Sequence, residues 1–133
     1  MRYLLDTNIL SALIRSPRGV VAGRIRQIGE AAVYTSVIVA AELRYGAVRK
    51  GSARLSLQIE TVLDALEIAS WQSPQDRLYA ELRFGLEQTG TPIGSNDLLI
   101  ATQALADGSV LVTDNTREFA RIGALTIENW LRS

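Results

Sequence analysis

The chain contains neither cysteine nor histidine. Those absences exclude disulfides, thiol catalysis, zinc sites built on sulfur or imidazole, and every Ser-His-Asp triad. Net charge is missing too: 14 basic residues balance 14 acidic ones, so no bulk field draws in a polyanion. Any site for one has to be a local arrangement. No apolar run approaches the roughly 20 residues that span a bilayer, and no signal-peptide pattern opens the chain. A cytoplasmic location is therefore the expectation. Chemistry is left to carboxylates, hydroxyls, amides, Lys and Arg, with a hard metal ion as the natural helper.

What is present suits one domain spanning residues 1–133, with 47% hydrophobic and 21% charged residues arguing against disorder. Residues 2–5 read as a short strand and 8–14 as a helix, broken by "SPRG" at 16–19. A second helix suits 20–29 and a second strand 31–36, with Ser36 placed to cap a helix through "VIVAAELRYGAVRK". Leu55, Ile59, Val62, Leu63 and Leu66 recur at helical spacing, giving an amphipathic helix over 53–66. A weak third strand is expected at 67–72. Pro74 sits where a helix over 75–88 would begin. "SNDLLIATQALADG" predicts a helix capped by Ser95 or Asn96 and stopped at Gly108. "SVLVT" (109–113) is the clearest strand, followed by a helical piece near 115–120 and a last strand near 125–127. Strands alternating with helices predict an α/β fold, a three-layer α/β/α sandwich around a mostly parallel sheet of about five strands.

In such sheets ligands bind at the carboxyl ends of the strands. Asp6 closes the first strand and Asp114 follows "VLVT". Asp97 lies in the first turn of its helix. Glu42 stands among Ile38, Val39 and Tyr45, with no basic residue at 38, 39, 45 or 46 to pair with it. Each acid alone has a bland explanation: a helix cap for Asp6 and Asp114, the helix dipole for Asp97, a backbone amide for Glu42. Together they can converge on one rim. Two carboxylates about 5 Å apart repel by roughly 3 kcal/mol at an effective dielectric of 20. A four-acid cluster therefore implies a bound cation, and all-oxygen ligands select Mg²⁺ or Mn²⁺. Such an ion, with coordination positions open to water, suits phosphodiester hydrolysis.

Four ordered blocks carry a family resemblance: "YLLDTNILSALI", "TSVIVAAELRYGA", "TGTPIGSNDLLIATQALADG" and "VLVTDNTREFARIGALTIENW". Over nearly its whole length the chain resembles PIN-domain proteins, and more narrowly the VapC toxins of bacterial VapBC toxin–antitoxin pairs. The resemblance implies a metal-dependent ribonuclease whose first three acids match Asp6, Glu42 and Asp97. Asp6 and Asp97 would be the principal Mg²⁺ ligands, with Glu42 binding metal or orienting the attacking water. Thr7, Asn8 and Thr113 would support them by hydrogen bonds. Many relatives carry Thr-x-Asp at the fourth position, where this chain has Asn115. Asp114 is displaced by one place and Glu118 lies one helical turn on, so the fourth position is open among the three.

The resemblance also implies a VapB-type antitoxin, whose C-terminal segment wraps the toxin and can insert an Arg into the acidic pocket. The 53–66 helix and the early helices would form its groove and a homodimer face. Arg44, Arg49, Lys50 and Arg83 are candidates for the RNA path. Two rival readings remain. A receiver-like signalling domain would want adjacent acids after the first strand and a late Lys, but no Lys follows Lys50. An inactive PIN scaffold that only binds antitoxin or RNA draws on the missing acid at 115.

Overall fold

Five short strands form one sheet in the computed structural model, which describes residues 1–132. The chain runs β1 (Tyr3–Leu5), α1 (Thr7–Arg15), α2 (Val20–Ile28), β2 (Val33–Ser36), α3 (Val37–Lys50), α4 (Ala53–Asp64) and β3 (Glu67–Ala69). It continues through α5 (Gln75–Gln88), α6 (Ser95–Asp107), β4 (Val110–Val112), α7 (Thr116–Phe119) and β5 (Ile127–Glu128). Leu4, Leu5, Leu111 and Val112 are fully buried. Strands with no polar alternation, buried on both sides, belong at the centre of a parallel sheet covered by helices.

The strand order is β3-β2-β1-β4-β5 and every pairing is parallel. From β1 the chain moves outward to β2 and β3, then returns past β1 to β4 and β5. Parallel crossovers are right-handed, so helices of the outward and return paths cover opposite faces. That gives the expected three layers. α1 packs on α2, α3 and α4, while α5 packs on α6. The direction reverses between β1 and β4, and at that switch point the diverging crossovers leave a crevice beyond the carboxyl ends of the strands.

The ends of the elements follow local chemistry. Ser36 caps α3 as expected, its Oγ accepting from the Ile38 amide at 3.0 Å. Gly108 stops α6 in the left-handed conformation at φ 66°, where a side chain would be strained. Tyr34 is buried because its hydroxyl has two partners, Ser109 Oγ and Asp107 Oδ2, each at 2.7 Å. The Arg2 guanidinium lies 4.0 Å over its ring.

Several boundaries differ from expectation. β2 starts at Val33, because residues 30–32 form a 3₁₀ turn closed by the Ala32 amide on the Gly29 carbonyl. β3 ends at Ala69, and β5 is displaced to Ile127–Glu128, since Ile122–Leu125 is taken up by a turn. The start of α6 is also corrected: Gly94, not Ser95 or Asn96, is the cap residue, and no side chain caps it. The ladder begins with the Leu98 amide donating to the Gly94 carbonyl at 2.9 Å. Ser95, Asn96 and Asp97 thereby fall inside the first turn.

Leu111→Ala should cost about 2–5 kcal/mol of folding stability, since the central strand cannot collapse around the lost volume. Urea denaturation measures it, and a loss below about 1 kcal/mol contradicts this core placement.

Candidate active site

Asp6 occupies the crevice because β1 ends one residue before it, and the same residue caps α1. Its Oδ1 accepts from the Thr7 amide at 2.8 Å, and its own amide donates to the Val112 carbonyl of β4 at 2.9 Å. Its Oδ2 accepts from Thr113 Oγ1 at 2.8 Å and from Asn8 Nδ2 at 3.4 Å. The residue is only 3% exposed. Burial raises its pKa most, the Thr113 and Thr7 donors oppose this, and the Glu42 charge adds to the rise.

Thr113 and Asn8 tie β1 to β4 around this carboxylate. The Thr113 hydroxyl also accepts from the Asn115 amide at 3.0 Å, while Asn8 Oδ1 accepts from the Asp114 amide at 2.9 Å. Thr7 has a second task, donating from its hydroxyl to Glu42 Oε1. Asn96 Nδ2 donates to Glu42 Oε2 at 3.4 Å. Glu42, midway along α3, is thus fixed from α1 and from the first turn of α6.

Asp97 faces Asn115 Nδ2 at 3.5 Å and feels three other acids. Half-burial is the main reason its pKa is pushed up to about 7, followed by the charges of Asp6, Glu118 and Glu42. Glu118 moves the opposite way. The Gly94 amide, donating to its Oε1 at 2.8 Å, holds it below the usual range, with help from Asn115 Nδ2 at 2.9 Å. Asp97 and Glu118 therefore sit side by side with opposite shifts, the first pushed up by burial and neighbouring charge and the second held down by its amide donors.

Asp6, Thr7, Asn8, Glu42, Asp97 and Asn115 all line one cavity of about 420 Å³. Asp114 does not. Its Oδ1 accepts from Asn129 Nδ2 at 2.9 Å and Arg132 Nε at 3.2 Å, which hold its pKa below the ordinary value. The expectation that it joins the other acids at one rim is corrected. The amide of Asp114 is drawn to Asn8, and its side chain turns toward the C-terminal segment. Glu118, one turn along α7, stands beside Asp97 instead.

Sequence reasoning missed Ser11 and Arg15, which also line the cavity. Their spacing held the signal: Thr7, Ser11 and Arg15 recur every four residues on one face of α1. Asn96 was noticed only as a helix cap, whereas it reaches Glu42.

The donor set is oxygen-rich and acidic. Among the described residues, no group of three or more acidic side chains is arranged to hold a metal ion unaided. An open site completed by water fits these residues better, and that is the coordination Mg²⁺ favours. The convergence of Asp6, Glu42 and Asp97, with the Asn115 amide, on one cavity is the observation that favours a cation here.

The fold and the convergent acids together are those of a PIN domain, and the model of that family matches residues 3–125. Ribonuclease VapC2 of Rickettsia felis is 39% identical over 98% of this chain and 98% of its own length. The tRNA(fMet)-specific endonuclease VapC of Shigella flexneri is 30% identical over 98% of each. The crystal structure of VapBC2 from Rickettsia felis, bound to a promoter DNA fragment, aligns at a TM-score of 0.89 and 37% identity, covering 98% of this chain and 99% of that one. The chain belongs to the PIN-domain family and, within it, to the VapC ribonucleases.

The raised Asp97 pKa predicts a pH dependence. Its folded value of about 7 lies above the ordinary 3.8, so its contribution to stability is fully present below about pH 4 and lost as pH rises toward 7. Asp97→Asn should therefore stabilise the metal-free protein relative to the parent increasingly over that window, as read by thermal melts. A difference that stays flat with pH would place the charge repulsion elsewhere.

Proposed function

We propose that the protein is a Mg²⁺-dependent endoribonuclease, with Mn²⁺ as a substitute ion, acting in the cytoplasm as the toxin of a VapBC-type pair. A single PIN domain carries the activity. The observation behind this reading is the meeting of Asp6, Glu42 and Asp97, distant in sequence, in one cavity at the strand ends.

Asp6 and Asp97 would hold the ion, with Glu42 completing the pocket. When bound, it supplies Lewis acidity toward a phosphoryl oxygen and acidifies a water. The rest falls to the chain. Asp6 is immobilised by donors from Thr7, Asn8 and Thr113, so its lone pairs are aimed before the ion arrives. Glu42, gripped by Thr7 and Asn96, is positioned to orient the attacking water. Asp97 would hold the ion through its carboxylate and is kept at its station by Asn115. Glu118, anchored on the Gly94 amide, supplies the fourth negative charge. Arg15 on the cavity wall offers a cation to the phosphate.

The partner is a VapB-type antitoxin. Support for its seat comes from an apolar cavity of about 540 Å³ between α1, α2 and α4, walled by Leu13, Ile14, Ile25, Val62 and Leu66. Exposed Tyr45, Val48 and Phe84 leave apolar surface that favours self-association as a homodimer. The amide at position 115 favours the competing reading, a scaffold that retains RNA without cutting it.

Purified protein should cleave structured RNA with Mg²⁺ or Mn²⁺ and stop on chelation. Asp6→Asn and Asp97→Asn should each lower kcat by on the order of 100-fold or more, the equivalent of several kcal/mol of lost charge stabilisation, without unfolding. Glu118→Gln should fall with them, and Asp114→Asn should remain near the parent rate. RNA bound by the parent but never cut supports the scaffold instead. Expression alone should arrest growth, with co-expressed antitoxin relieving it; a relief-independent arrest speaks against the pairing.

A further inference from the structure

The acidic cavity has a basic neighbour. Arg15 lines both, and the second, of about 390 Å³, is completed by Lys50 at the end of α3 and by Ser52, Arg54, Leu55 and Gln58 at the start of α4. Arg15, Lys50 and Arg54 are exposed, and among the described residues none of them pairs with a carboxylate. Two of the other RNA-path candidates are paired with acids. Arg44 is held by both oxygens of Glu60 at 2.9 and 3.0 Å, and Arg83 by Glu87 at 3.2 Å. Of the residues expected along an RNA path, only Lys50 is found on this wall.

A cluster of acids repels phosphate, so a polymer cut there has to be held by charge next to it. The wall that adjoins Arg15 carries no acidic residue and two further cations. Among the described residues neither cavity is lined by an aromatic ring. Splayed single-stranded bases are normally held by stacking on such rings, whereas folded RNA is gripped through phosphates and 2′-hydroxyls. Ser52 and Gln58 add neutral hydrogen-bonding groups suited to those hydroxyls.

We propose that Arg15, Lys50 and Arg54 form a track, meeting the acidic cavity at Arg15, that binds the phosphate backbone of a folded RNA substrate beside the scissile bond. The track reads shape and charge, not base identity. It rests on the ribonuclease reading above and specifies how the substrate of that same site is held.

The test uses the full chain carrying Lys50→Gln and Arg54→Gln together, both solvent-exposed positions. Binding of a labelled RNA hairpin, of a scrambled hairpin and of an unstructured strand is followed by fluorescence anisotropy without divalent ion, from about 50 to 200 mM salt. Steady-state cleavage is measured in Mg²⁺. The double variant should lower the slope of log K against log salt by about 2, one per lost phosphate contact, for the hairpin and for a scrambled hairpin alike. It should raise KM about tenfold and leave kcat within about twofold of the parent. An unchanged slope and KM overturn the track. Stronger weakening for an unstructured strand than for the hairpin overturns the preference for folded RNA. A parent that cuts no RNA defeats the ribonuclease reading, while the anisotropy slope still decides the track.

Discussion

A carboxylate buried at the end of the central strand constrains everything around it. Asp6 is 3% exposed, and an ionised acid in that position is costly unless donors and a counter-charge meet it. The chain supplies the donors from three places: the first amide of α1, the Asn8 side chain, and the Thr113 hydroxyl at the end of β4. It supplies no counter-charge of equal weight. Glu42 and Asp97 are brought toward the same cavity, which deepens the deficit and pushes the Asp97 pKa up.

The topology explains why this deficit gathers at one point. β1 and β4 are neighbours in the sheet although more than a hundred residues separate them, and the crossover direction reverses between them. Asp6 follows one strand and Thr113 the other. α3 and α6, from opposite directions of travel, bring Glu42 and Asp97 over the gap. Hydrogen bonds then cross-link the contributors: Thr7 to Glu42, Asn96 to Glu42, Asn115 to Asp97 and Glu118. Residues that hold acids in place are as much a part of the site as the acids. Such rigid support lets an open coordination shell be ready before an ion binds.

Much of this was legible in the sequence, for identifiable reasons. Parallel strands buried on both faces leave uninterrupted apolar runs, so β1 and β4 announce themselves, and a polar residue at their ends is conspicuous. Glu42 stood out as an acid on an apolar stripe with no basic neighbour. The fourth position was not legible. Asp114 and Glu118 differ by how one short turn is wound, and the decisive contacts come from Asn129, Arg132 and Gly94, each remote in the chain. The start of α6 was misplaced for a related reason. Ser95 and Asn96 have capping chemistry, but the Glu118 carboxylate holds the Gly94 amide and sets the helix entry one residue earlier. Short β3 and β5 sit at the sheet edges, where pairing with one neighbour leaves only a faint pattern.

The proposed function depends on these acids binding a divalent ion in the cavity. The most direct measurement is the anomalous scattering of Mn²⁺ in crystals of the protein soaked with that ion. The account predicts a strong peak within the cavity, with Asp6 and Asp97 oxygens coordinating it and Glu42 beside it. A peak seated elsewhere, or a cavity that stays without one at saturating Mn²⁺, would contradict it.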